Sequence, residues 1–157
     1  MAQQGETLAK KFGEANGQFI QAVEKCSEQA WKSPCAGEGW SVGVTAHHVA
    51  QSMPVISGAV LMIATEQPLP PLTPEWLEQQ NAEHAKTQKD CTAQETLKML
   101  RDNGAAAMTT LKGLSDEQLG RSASFFGQEM TAQGLAENVL LGHTMGHLES
   151  IRAAAKA

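Results

Sequence analysis

The feature that most constrains this chain is its helix punctuation. Ser33-Pro34, Ser41, Thr73-Pro74-Glu75, Thr92 with Glu95, Ser115 with Gln118, and Thr131 are helix stops and caps. Between them apolar residues recur at three- and four-residue steps, while the alternation that marks strands is nearly absent. A first helix is predicted from about Gly5 to about Trp31, where Leu8, Phe12, Phe19, Val23 and Cys26 make one face. Ser33-Pro34 ends it, because the residue before proline is pushed out of the helical region. A glycine-rich loop, Cys35 to Trp40, leads to Ser41, the cap of a second helix reaching about Thr65. Pro54 lies inside that helix; it predicts a kink and frees the carbonyl of Ala50. Gln67 to Pro71 is a stiff extended connector. Thr73-Pro74-Glu75 opens a third helix to about Lys89, and Thr92 with Glu95 forms a capping box for a fourth, ending near Gly113. Ser115 and Gln118 box one short turn, Ser122 to Met130 reads as irregular, and Thr131 starts the last long helix. These segments predict an all-α four-helix bundle with an additional short helix, one domain over residues 1–157.

At 157 residues the chain can bury a core without a disulfide or a structural metal. A bound metal would serve chemistry more than folding. With 12 basic and 17 acidic residues, net charge -5, and no basic run, neither nucleic acid nor an anionic membrane surface is an expected partner. No signal peptide and no membrane-length apolar stretch is visible, so the reading is soluble and cytoplasmic. Cys26, Cys35 and Cys91 fit no zinc or redox spacing and read as free thiols. No tyrosine is present to serve as acid, base or oxyanion donor.

Four of the five histidines fall in two groups. In Gly142-His143-Thr144-Met145-Gly146-His147 the imidazoles lie four residues apart, on one helix face with Val139 and Ile151. Two imidazoles on an inward face need partners, either a shared ion or core hydrogen bonds. The metalloprotease pattern does not apply, because Thr144 stands where it needs glutamate. In the second helix His47 and His48 are adjacent, so only one of them can face the interior. Periodicity does not choose between them.

Further residues carry a family likeness. Trp40 opens the second helix, His48 follows eight residues later, and Val49 and Ala50 come next. In the last helix His143 and His147 are followed by Ser150 and Ile151. On these motifs, together with a charged third helix, an amphipathic fourth and the turn after Leu114, the chain resembles the DinB-like superfamily of four-helix-bundle metalloproteins. Members include mycothiol-dependent maleylpyruvate isomerase and the bacillithiol transferases. The resemblance favours His48 over His47 and implies a divalent metal on His48, His143 and His147. Glu149-Ser150 stands where members often carry Gly-Gln, and no residues match those that characterised relatives use to hold a thiol or substrate.

Three neutral imidazoles leave a divalent ion its full charge and at least one open position, the layout of a catalytic site. Zinc or nickel suits such ligands, and iron is admissible. The expected function is a metal-dependent enzyme acting on a small molecule, by thiol-dependent transfer or isomerisation or by hydrolysis. A low-molecular-weight thiol is the candidate cofactor. The alternatives are a non-catalytic metal- or small-ligand-binding stress-response protein and a purely structural bundle. No catalytic acid or base stands out. Asn81, Glu83 and His84 on the third helix are candidates for lining the pocket, and Glu149 points away from His147. Met53, Met62, Met108 and Met145 read as core filler, and Trp40 as an anchor for its helix. Gly142 and Gly146 allow a close helix approach, within the chain or across a homodimer, or room for substrate.

Overall fold

In the computed structural model, which describes residues 3–156, the chain is a four-helix bundle with short additions. The elements run α1 (Gln3–Glu24), α2 (Glu28–Lys32), α3 (Val42–Ala64), α4 (Pro74–Thr87), α5 (Ala93–Lys112) and α6 (Asp116–Leu119). Strands β1 (Ser122–Phe125) and β2 (Gln128–Thr131) follow. The last long helix comprises α7 (Ala132–Leu135), a π-helical stretch Ala136–Leu141 and α8 (Gly142–Lys156). Helices α1 and α3 each pack against both α5 and α8, so they sit on opposite corners. The predicted caps are made: Ser41, Thr73, Thr92, Ser115 and Thr131 each accept from a backbone N–H of the first turn. The full capping box forms at Ser115 and Gln118.

One apolar core joins the four corners. Phe12, Phe19 and Val23 of α1 meet Met53 and Ile63 of α3, Leu100 and Leu111 of α5, and Leu148 and Ile151 of α8. Burying one such side chain contributes roughly 1.5–3 kcal/mol. Two polar devices lock α5 into this core. Asn16 donates to the carbonyl of Leu100 at 2.9 Å. Asn103 donates to the carbonyl of Ala50 at 2.9 Å, the acceptor that Pro54 leaves free. Helix α3 therefore continues through Pro54, its lost internal bond replaced from the neighbouring helix.

Three expectations are corrected. The first helix stops at Glu24 rather than near Trp31, because Ser27 caps a separate helix by accepting from Ala30 N at 3.0 Å. The stretch from Ser122 to Met130 is not irregular: Ser122 to Thr131 is an antiparallel hairpin, with Phe125 opposite Gln128. Its turn puts Phe126 (φ 51°) and Gly127 (φ 78°) in the left-handed region, as a two-residue hairpin turn requires. Met62 borders a cavity, whereas Met53 is buried core.

Helix α4 lies outside the four corners. His84 is its only buried residue, so Glu83, one position before, faces solvent. Among the described residues no helix is long and apolar enough to cross a membrane.

Candidate metal centre

The N-terminal half of α3 and the start of α8 carry the three clustered histidines. Ser41 starts α3, setting the phase in which His48 turns toward α8 and His47 toward α4. On α8, His143 and His147 stand one turn apart on the face toward α3. The structure brings the three predicted residues together: His48 Nε2 lies 3.0 Å from His143 Nε2, and His147 Nε2 lies 3.2 Å from His143 Nε2. One ligand atom from each lies within 4.8 Å of the others. Nitrogens bound to a common ion at about 2.0–2.1 Å are spaced on the order of 3 Å from one another, so the separations fit.

The outer ring nitrogens agree with that spacing. His147 Nδ1 lies 2.9 Å from Glu38 Oε2, and a carboxylate only accepts, so the proton of His147 sits on Nδ1. In the neutral ring, the form that ligates, Nε2 then presents a lone pair to the cluster. Ser52 Oγ donates to the carbonyls of His48 (2.8 Å) and Val49 (3.0 Å), leaving its oxygen to accept from His143 Nδ1 at 3.4 Å. Any single ring proton left among the three Nε2 atoms satisfies one contact and sets lone pair against lone pair at the other. A cation satisfies all three.

The rings of His48 and His143 are neutral near pH 7. Burial, then the nearby His143, His147, His84 and His47, push His48 down to about 3. Burial and then His147 push His143 down to about 4. Neutral imidazole is the form that ligates, so no proton competes for these nitrogens.

A second histidine pair stands behind the first. His47 Nδ1 is 2.8 Å from His84 Nε2, both residues are buried, and His84 Nδ1 has no partner. Burial lowers the pKa of both, that of His84 to about 4 with His47 as the lesser cause. This pair ties α4 to α3.

Beside the three-histidine cluster lies a cavity of about 790 Å³. Asn81 borders it, as do Glu38, Trp40 and Ser52. Trp40 packs edge-on against His48, ring centres 5.2 Å apart, so it touches the site as well as opening its helix. Glu83 and His84 are not among the lining residues, Glu83 because it faces solvent and His84 because its ring is spent on His47. Glu149 is exposed. Gly142 and Gly146 are exposed and outside the lining, and among the described residues a Cβ on either would come within 4 Å of no other helix.

Sequence reasoning missed Glu38 and Ser52. Ser52 was within reach, one helical turn after His48. Glu38 sits in the loop before α3, 109 positions from its partner, beyond any local pattern. The loop is shaped by Cys35 N donating to Trp40 O (2.7 Å) and by Gly39 at φ 74°, a conformation that favours glycine.

No curated protein matches this chain. Among solved structures it is similar to YfiT from Bacillus subtilis, described as "a probable metal-dependent hydrolase with an unusual four-helix bundle topology". That likeness, a TM-score of 0.79 at 19% identity over 98% of this chain and 87% of the other, is one of fold. The profile of the DinB family matches residues 1–148, nearly the whole length. With the bundle and its histidine cluster in place, this match shows that the chain belongs to the DinB family.

Proposed function

We propose that this protein is a metal-dependent hydrolase of a small molecule, with one divalent ion held by His48, His143 and His147. The observation that carries the reading is the convergence of three imidazoles on one point, with Glu38 and Ser52 against the outer nitrogens of His147 and His143. YfiT, similar in fold, is itself described as a probable metal-dependent hydrolase. Zinc or nickel suits the ligand set and iron is admissible.

Bound there, a divalent ion would act as a Lewis acid and bring the pKa of a water in its open position to about 7. The chain's own residues do the rest. Glu38 holds His147 by its Nδ1 proton, which raises the basicity of Nε2 and fixes the ring. Ser52 does the same for His143 through a longer contact. Trp40 and the apolar cavity wall exclude bulk water from the histidine end. In the net reaction one water O–H bond and the scissile bond break. The acyl-type carbon gains the hydroxyl, and the leaving group departs with the proton.

Hydrolysis is favoured over transfer of a low-molecular-weight thiol by the cavity lining. Among the described residues it contains no Lys or Arg, and Asn81 and Ser52 are its uncharged polar side chains outside the ring systems. A hydroxyl- or carboxylate-rich thiol would find few partners there. The test starts with elemental analysis of protein prepared without an affinity tag. Ester, amide and lactone substrates are then screened with and without chelator and with and without added thiol. Turnover that is restored by metal, needs no thiol and is absent in His48→Ala is expected. Equal turnover by His48→Ala and wild type would overturn the assignment, and thiol-dependent turnover would replace hydrolysis with transfer.

A further inference from the structure

The cavity has a direction. Its α3 wall runs through His48, Ser52, Val55, Ile56, Ala59 and Met62, residues of one helix face. At 1.5 Å rise per residue these span about 20 Å. The first two are polar and the rest apolar. The opposite walls continue the apolar end with Trp76 and Leu77 of α4 and with Phe125 and Phe126 of the hairpin.

Exposure adds a second observation. Of the four large hydrophobic side chains left exposed among the described residues, Val55 (65%), Trp76 (43%) and Leu77 (42%) line this cavity. Leaving them wet is unfavourable, and a contiguous apolar surface of this kind marks a binding site. Its volume of about 790 Å³ suits one small molecule rather than a folded partner. With no Lys or Arg in the lining, nothing there compensates an anionic body.

We propose that the cavity takes a small amphiphile: an uncharged alkyl or aryl body along α3 and one polar, metal-coordinating head at the histidines. The position of the head rests on the hydrolase reading, whereas that of the body rests on the wall alone. The substrate class is then an acyl or aryl derivative with its reactive bond at one end of an apolar body.

The test uses the full chain, prepared without a tag, in zinc-loaded and metal-free forms. Alkyl hydroxamates from acetohydroxamate to dodecanohydroxamate are titrated into the zinc form, and n-alkanols, which lack a chelating head, into the metal-free form. Binding is read by calorimetry and by the fluorescence of Trp40 and Trp76. Affinity is expected to rise about fourfold per added methylene in both series until the cavity is full. The exposed-site variant Val55→Asp should flatten that slope. Glutathione should not displace a bound alkanol. A slope with alkanols but no gain from the hydroxamate head would sustain the apolar site and defeat the metal reading. Affinity independent of chain length in both series would overturn the proposal. So would a slope that vanishes as the protein self-associates, since a second copy would then be the occupant.

Discussion

The carboxylate of Glu38 sits 2.9 Å from Nδ1 of His147, tying the loop before α3 to the last helix through one imidazole. A carboxylate in this position fixes the tautomer and orientation of a ligating ring, and losing such a partner typically weakens metal binding about 10–100-fold. Glu38→Gln should therefore bind zinc about 10–100-fold more weakly by competition titration, while its circular dichroism stays that of wild type. Unchanged affinity would mean that the contact is only structural.

The adjacent His47 and His48 should separate cleanly. His48→Ala removes one of the three proposed ligands and should leave little bound metal in elemental analysis. His47→Ala should keep the metal and lose stability instead, by about 1–3 kcal/mol, because His84 would be left buried with neither ring nitrogen paired. Metal retained in the first variant, or lost in the second, would reverse the assignment made from ring positions.

Metal-free protein should lose stability in acid over a defined window. His48 is held down to about 3, and His143 and His84 to about 4, from an ordinary value near 6.5. Between those values the unfolded chain binds more protons than the folded one, so stability is complete above about 6.5 and declines as pH falls toward 4. The melting temperature of chelator-treated protein should drop across that interval, and His84→Gln should drop less steeply. A flat profile would show that the rings already share protons in the folded state.

Trp31 crosses α3 at Gly43, with its indole N–H donating to the carbonyl of Cys91 at 2.9 Å. A Cβ on residue 43 would lie 2.6 Å from Cε2 and Nε1 of that pinned ring. Gly43→Ala should cost about 1–3 kcal/mol, read as a lowered thermal midpoint. No loss of stability would show that Trp31 is free to move aside.

Much of this architecture was legible from residues that act locally. Ser41, Thr73, Thr92, Ser115 and Thr131 accept from the N–H groups just after them, so their spacing marked the helix starts. The three-histidine cluster was legible in part. A four-residue step placed His143 beside His147, but helical phase alone could not choose His48 over His47, and only the family motif did. The hairpin was not legible, because Phe126-Gly127 supplies its turn while its strands lack a β-branched run. Glu38 and the partnership of His47 with His84 depend on contacts between distant segments, which no local rule encodes.

The π-helical stretch Ala136–Leu141 lies immediately before the helix that carries His143 and His147. A π-turn holds one residue more than an α-turn, so the helix leaves this stretch rotated by about 100° relative to an uninterrupted one. Leu135 and Leu140 can then seat in the core while the two imidazoles still meet α3. Deleting one residue between 136 and 141 would restore ordinary pitch and swing both rings about a quarter turn off the meeting point. The meeting of the three histidines is thus set by a surplus residue in the backbone, one whose side chain need not touch the ion.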